Sequence, residues 1–67
     1  MLFDTDVLIW ALRGNPKAAA VIDGAEDRFI SAVTYMELIQ GARNKAEQKL
    51  IKDFLSSLGF QIVPIDE

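Results

Sequence analysis

Residues 2–9 read LFDTDVLI, and this stretch decides the fold class. A short apolar run is followed by Thr5 and Asp6, either of which can cap a helix. The apolar residues that come next are typical of a helix that runs to about Arg13 and stops at a glycine. The first unit of the chain is therefore predicted to be a strand over residues 1–3 followed by a helix.

The same order of strand and helix recurs along the chain. The further predicted elements are a helix over residues 17–23, a strand over 28–32, a helix up to about 43, a helix over 45–58 and a strand over 60–65. Pro16 opens the second helix, and Ser31 or Thr34 can cap the third. Strands that alternate with helices favour a parallel sheet with right-handed crossovers. We predict an α/β fold with the order β-α-α-β-α-α-β and a parallel sheet of three strands.

Apolar residues indicate which surfaces form the core. Residues 7–12 are apolar on every face of the first helix, so we expect this helix to be buried on more than one side. Trp10 and the four phenylalanines are core candidates. The last predicted helix has one apolar stripe, which consists of Leu50, Ile51, Phe54, Leu55 and Leu58.

Composition bounds the class of protein. A chain of 67 residues is at most one domain, and its 51% of hydrophobic residues exclude intrinsic disorder. The sequence has no cysteine and no histidine, which excludes disulfides and the usual zinc sites. So small and apolar a chain is expected to be an oligomer or an excised piece of a larger fold.

Charge and hydropathy narrow the partners. A net charge of −3 argues against a basic surface that traps nucleic acid, so any contact with nucleic acid must be local or mediated by a metal. The longest apolar run, residues 7–12, is far shorter than the roughly 20 residues of a membrane span. Acidic residues precede this run, where a signal peptide carries positive charge. We expect a cytoplasmic protein with no membrane contact.

Carboxylates are the remaining source of chemistry. Asp4 and Asp6 flank Thr5 at the junction of strand and helix, where oxygen ligands can hold a hard cation such as Mg²⁺ or Mn²⁺. Capping of the first helix is the commoner role for aspartates in this position. Glu37 is predicted to lie on the polar side of its helix. Most glutamates so placed are simply solvated, although its small or neutral neighbours leave room for a ligand.

Hydroxyl groups and basic residues are candidate supports for such a site. Thr5, Ser31 and Thr34 can bond to a carboxylate or to metal-bound water, although serine and threonine before helices are usually caps. Four basic residues and one acidic residue lie between residues 43 and 52. The basic ones are the candidate phosphate contacts: Arg43, Lys45, Lys49 and Lys52. A solvated face of an amphipathic helix gives the same pattern and is the commoner cause.

Two stretches, residues 2–9 and residues 30–42 (ISAVTYMELIQGA), together resemble the first two blocks of PIN-domain proteins, particularly VapC-type toxins. The resemblance implies a three-layer fold around a five-stranded parallel sheet, and a ribonuclease that uses Mg²⁺ or Mn²⁺ to hydrolyse single-stranded RNA. By this similarity Asp4 and Glu37 are the catalytic, metal-binding acids and Asp6 is a supporting acid. An RNA substrate and a cognate antitoxin protein are the implied partners.

The resemblance also implies an incomplete site. The family's remaining acids lie in a second half that has no counterpart here, so residues 1–67 are interpreted as the N-terminal part of a single PIN-like domain and are expected to be inactive alone. Asp66 and Glu67 read as the start of a further helix and do not replace those acids. The alternative hypothesis is a non-catalytic oligomerisation or antitoxin-binding module from a truncated or split gene.

The predicted sheet carries one more expectation. Three strands with crossovers in one direction leave the first strand at an edge, and no proline or lysine in residues 1–5 protects that edge. The apolar first helix lies next to it. We therefore expect a homodimer or a larger assembly with the first strand or the first helix at the interface.

Overall fold

A computed structural model describes residues 1–64. Its elements are α1 (Thr5–Leu12), α2 (Pro16–Asp23), β1 (Phe29–Ser31), α3 (Ala32–Gln40), α4 (Lys45–Ser57) and β2 (Gln61–Val63). The mixed α/β architecture agrees with the fold class expected from the sequence. Ile65 and the helix start predicted at Asp66 and Glu67 lie outside the described residues. Over residues 1–64, no helix has the length and apolar character needed to cross a membrane.

The sheet has two strands among the described residues, so the prediction of three strands is wrong. β1 pairs with β2 in parallel, with Phe29 opposite Gln61. Residues 1–3 lie along the other side of β1 but form only one isolated bridge, between Leu2 and Phe29. Two backbone hydrogen bonds of 2.9 Å hold this bridge, and the chain turns into α1 at Thr5, too soon for a longer ladder. The segment 1–3 is therefore at the edge.

The core lies where the helices meet the sheet. Its most deeply buried hydrophobic residues are Leu8 of α1, Ile22 of α2 and Ile30 of β1. The other buried members of the cluster are Phe3, Leu38 and Leu55. Every helix contributes one residue, which is what a small α/β fold requires to bury enough apolar surface.

Two apolar residues predicted to be in the core are exposed. Trp10 is 53% exposed, so α1 is not covered all round. The helix does pack against both α2 and α3, in agreement with the expectation of burial on more than one side. Leu50 is 65% exposed, although the rest of the α4 stripe is buried or half-buried. The helical period was right in both cases. The described chain simply has no element that covers those faces.

Helix ends follow local chemistry closely. Asn15 caps α2 by accepting hydrogen bonds from two backbone N–H groups, next to Pro16 in the first turn. Gly14 and Gly59 have φ of +88° and +70°, the left-handed conformation that glycine adopts without strain after a helix. α3 ends at Gln40, before the predicted residue 43, because the chain leaves the helix to place a capping asparagine before α4.

The Arg28 side chain connects the ends of α2 and α4 through hydrogen bonds that the sequence did not predict. Its Nε donates to the backbone carbonyl of Ile22 at 2.8 Å, and its Nη1 donates to that of Leu58 at 3.0 Å. Its Nη2 reaches the carbonyl of Asp23 at 3.3 Å. These carbonyls lie at the C-terminal ends of α2 and α4, where backbone acceptors lack helical partners and a positive charge is favourable.

Candidate functional site

Asp4 stands at the N-terminus of α1 without acting as its cap. The residue has the extended backbone of a capping position, but its side chain accepts no capping hydrogen bond and is exposed. The commoner interpretation of this aspartate, a helix cap, is therefore not what the structure shows. Its carboxylate is available to another partner.

A hydrogen bond connects this helix start to α3. The Thr5 hydroxyl donates to Oε1 of Glu37 at 3.2 Å, across 32 positions of sequence. Glu37 is exposed on the polar side of α3, as its helical position predicted. Because Thr5 follows Asp4 directly, the hydrogen bond brings the α1 N-terminus and Glu37 to one side of the molecule.

Asp6 belongs to the same helix start. It is exposed in the first turn of α1, where the helix dipole favours a negative charge. Within residues 1–64, however, no three acidic side chains are grouped closely enough to hold a metal ion. The structure thus brings Thr5 to Glu37 but does not gather Asp4, Asp6 and Glu37 into a compact cluster of ligands.

Ser31 and Thr34 form a buried polar pair at the start of α3. Ser31 Oγ accepts from the backbone N–H of Thr34 at 3.0 Å, and the two hydroxyl oxygens are also 3.0 Å apart. Ser31 is therefore the cap of α3, one of the two residues predicted for that role. Thr34 precedes Glu37 by three residues, so the pair fixes the helical turn from which Glu37 projects.

The four basic residues predicted to contact phosphate differ in whether they form ion pairs. Arg43 bonds to Glu47 through both Nε and Nη2 at 2.7 Å, and Lys49 bonds to Asp53 at 2.8 Å. These hydrogen bonds and charges raise the pKa of Arg43 and of Lys49 and lower the pKa of the Glu47 carboxyl. In the described part of the chain Lys45 and Lys52 have no ion pair, so the four cations are not equivalent.

A groove of about 630 Å³ opens between the C-terminal end of α1, α3 and the first half of α4. All three helices contribute apolar side chains to its lining, among them Ile9, Leu12, Leu38 and Leu50. Arg13 and Glu37 also line the groove. Sequence reasoning missed Arg13, since a single arginine before a glycine has no distinctive pattern. The groove also explains the exposure of Leu50, which faces an open channel instead of the core.

Comparison with known proteins identifies a family. The family model described as PIN domain matches residues 1–67, the whole chain. No curated protein and no solved structure matches the chain significantly.

Proposed function

Because the chain belongs to the PIN domain family, which implies a nuclease-type function, we propose that it acts on single-stranded RNA. More specifically, we propose that it is a VapC-type toxin component. Asp4 and Glu37 are the proposed catalytic acids, and Asp6 supports them. The single observation that carries this assignment is the hydrogen bond from Thr5 to Glu37, which joins two sequence blocks 32 residues apart. A cognate antitoxin is the proposed protein partner.

The donor atoms suit a hard divalent cation. Carboxylate and hydroxyl oxygens are the ligands that Mg²⁺ and Mn²⁺ prefer, and the Asp4 carboxylate is not occupied by capping. Glu37 uses Oε1 to accept from Thr5, which leaves Oε2 for a ligand. When bound, the cation would lower the pKa of water and offset the negative charge of the scissile phosphate. Because only a few acids face this side, we expect weak binding.

The residues of the chain have separate tasks in this proposal. Asp4 and Glu37 supply the negative charge that attracts the cation, one from the start of α1 and one from α3. Thr5 orients the Glu37 carboxylate by donating to it. The buried pair of Ser31 and Thr34 holds the first turn of α3 rigid. Such fixed positions reduce the reorganisation that the site would otherwise need.

Paramagnetic Mn²⁺ added to the ¹⁵N-labelled chain tests the assignment. We expect line broadening centred on Asp4, Thr5 and Glu37, and weaker broadening after Asp4→Asn or Glu37→Gln. Glu26→Gln is the matched control, because Glu26 is also exposed but lies in the loop before β1. Broadening confined to Asp23, Glu26 and Asp27 would contradict the proposed site.

A further inference from the structure

The groove beside α1 leads from the proposed acids to a basic residue. Glu37 lines the groove and bonds to Thr5 at the start of α1, whereas Arg13 lines it at the other end of the same helix. Arg13 comes eight positions after Thr5, which corresponds to about 12 Å along a helix axis. A strand that enters the groove and reaches Glu37 along α1 therefore passes Arg13.

The charge of Arg13 is uncompensated, unlike that of the other arginine in the groove. Among residues 1–64 the Arg13 side chain has no ion pair and no hydrogen bond, and it is exposed. Arg43 also lines the groove, but Glu47 binds its guanidinium. A guanidinium without a carboxylate partner is suited to bidentate binding of a phosphate.

The wall between the two ends is apolar. Leu12 and Leu50 are 36% and 65% exposed, and both line the groove. Unpaired bases present flat apolar faces that can cover such surface, while their phosphates remain at the polar rim. The groove thus places an unpaired guanidinium beside an apolar surface, and a phosphate and an unpaired base of one strand can bind to these two features together.

We propose that Arg13 binds a phosphate of single-stranded RNA in this groove and directs the strand toward Glu37. The proposal rests on the proposed function, since it assumes that RNA is the substrate. Arg13 is a positioning residue that acts on the strand at a distance from the reacting phosphate. Arg43, one of the candidate phosphate contacts from the sequence, has a smaller part because Glu47 competes for its guanidinium.

Fluorescence anisotropy with a short labelled oligouridylate, in EDTA and without divalent metal, measures this contact alone. We expect Arg13→Ala to weaken binding about fivefold and to reduce the slope of log K against log salt concentration by about 0.7, the value for one phosphate on a single strand. Arg13→Lys should keep most of that slope because it keeps the charge. Lys17→Ala removes an exposed cation from α2, outside the groove, and should leave the slope unchanged.

Each outcome decides the proposal. A specific loss in Arg13→Ala supports it, provided that far-ultraviolet circular dichroism shows the variant folded. Equal affinity and equal slope in Arg13→Ala and Lys17→Ala would overturn the proposal and favour a protein partner for the groove. Failure of the unmodified chain to bind the RNA would overturn the proposal as well. Because no metal is present, a failed Mn²⁺ experiment at Asp4 and Glu37 would count against the proposed function only.

Discussion

Thr5 is the residue on which the proposed site depends most directly. Its hydroxyl donates a hydrogen bond to the Glu37 carboxylate and so connects the start of α1 to α3. An exposed hydrogen bond to a carboxylate contributes about 1 kcal/mol in most proteins. Loss of the donor should free the carboxylate to turn into solvent while the backbone of α1 stays in place.

We predict that Thr5→Val weakens Mn²⁺ binding by about two- to fivefold, because about 1 kcal/mol or less of orientation is lost. The substitution keeps the branched shape at this position and removes only the hydroxyl. Isothermal titration calorimetry measures the affinity, and Thr5→Ser, which retains the donor, should bind like the unmodified chain. Equal affinity in the valine and serine variants would refute the orienting role.

Local patterns indicate the residues of the proposed site only in part. An aspartate that closes the first apolar run and a glutamate on the polar side of a helix are visible in the sequence, but the interpretation of Asp4 and Glu37 as metal-binding acids comes from the resemblance to PIN-domain proteins. Their spatial relation depends on how α1 packs against α3, which no local pattern contains. Arg13 was missed because its importance comes from α3 and α4, which lie far from it in sequence.

At the scale of the element, the start of α4 shows how a short segment stabilises itself. Asn44 accepts from the backbone N–H of Glu47 at 2.9 Å, and Glu47 in turn accepts from the backbone N–H of Arg43 at 2.9 Å. This reciprocal arrangement satisfies two donors at a helix start, as a capping box does. It also removes Arg43 from the group of freely available cations.

The same contacts predict how the Glu47 carboxyl responds to pH. Hydrogen bonds from the Arg43 side chain and backbone lower the pKa of the Glu47 carboxyl in the folded chain. The stabilising effect of this group is therefore fully present above the ordinary carboxyl pKa and is lost as the pH falls through the lowered value. NMR titration of the Glu47 side chain should show a midpoint below the ordinary value for a glutamate, and Arg43→Ala should raise that midpoint. An unchanged midpoint in the variant would exclude Arg43 as the cause.

Arg28 gives the second prediction at this scale. Arg28→Ala removes three donors from backbone carbonyls at the ends of α2 and α4, so we expect it to reduce the free energy of unfolding by about 2 kcal/mol. Arg28→Lys should restore little, since an ammonium group lacks the planar fork that reaches both helices. Urea unfolding measures the loss. Arg13→Ala is the control, and a similar midpoint for both alanine variants would contradict the structural role.

Element boundaries were predicted well where local chemistry sets them and poorly where tertiary contacts do. Pro16 and the glycines after α1 and α4 marked helix ends correctly. The strand predicted over residues 1–3 is a single bridge because its length depends on the neighbour that it meets. Leu50 and Trp10 have the hydrophobicity of core residues, but hydrophobicity does not reveal which faces another element covers.

On the scale of the whole molecule, the described chain leaves two apolar surfaces exposed. Trp10 is 53% exposed and Val21 is 49% exposed, and both line a shallow cleft between α1 and α2. Met1 and Leu2 are exposed along the edge next to β1. Water penalises such surface by about 25 cal/mol per Å².

We predict that the chain self-associates through these apolar surfaces. Sedimentation equilibrium at micromolar concentration should show a homodimer or a larger assembly, because a two-fold interface can cover the α1–α2 cleft in both copies. Trp10→Lys should shift the population toward monomer. Met36→Lys is the matched control, since Met36 is 56% exposed on α3. A folded monomer of the unmodified chain would disprove the prediction.

The limited number of grouped acids predicts low activity. Over residues 1–64 no three acidic side chains form a metal site, and each electrostatic contact in such a site is worth several kcal/mol in the transition state. The purified chain of 67 residues should therefore cleave single-stranded RNA slowly or not at all in Mg²⁺ or Mn²⁺. Rapid cleavage that Asp4→Ala abolishes would show that the two proposed acids suffice.

The parallel pairing of β1 with β2 has a consequence for synthesis on the ribosome. Phe29 is opposite Gln61, so the first hydrogen bonds between the two strands close a loop of about thirty residues. The chain loses the conformational entropy of closing this loop before those hydrogen bonds form. Within residues 1–64 no local hairpin offers a faster route. The nascent chain must wait until residues 61–63 leave the exit tunnel, and during that interval one edge of β1 remains open to any extended polypeptide nearby.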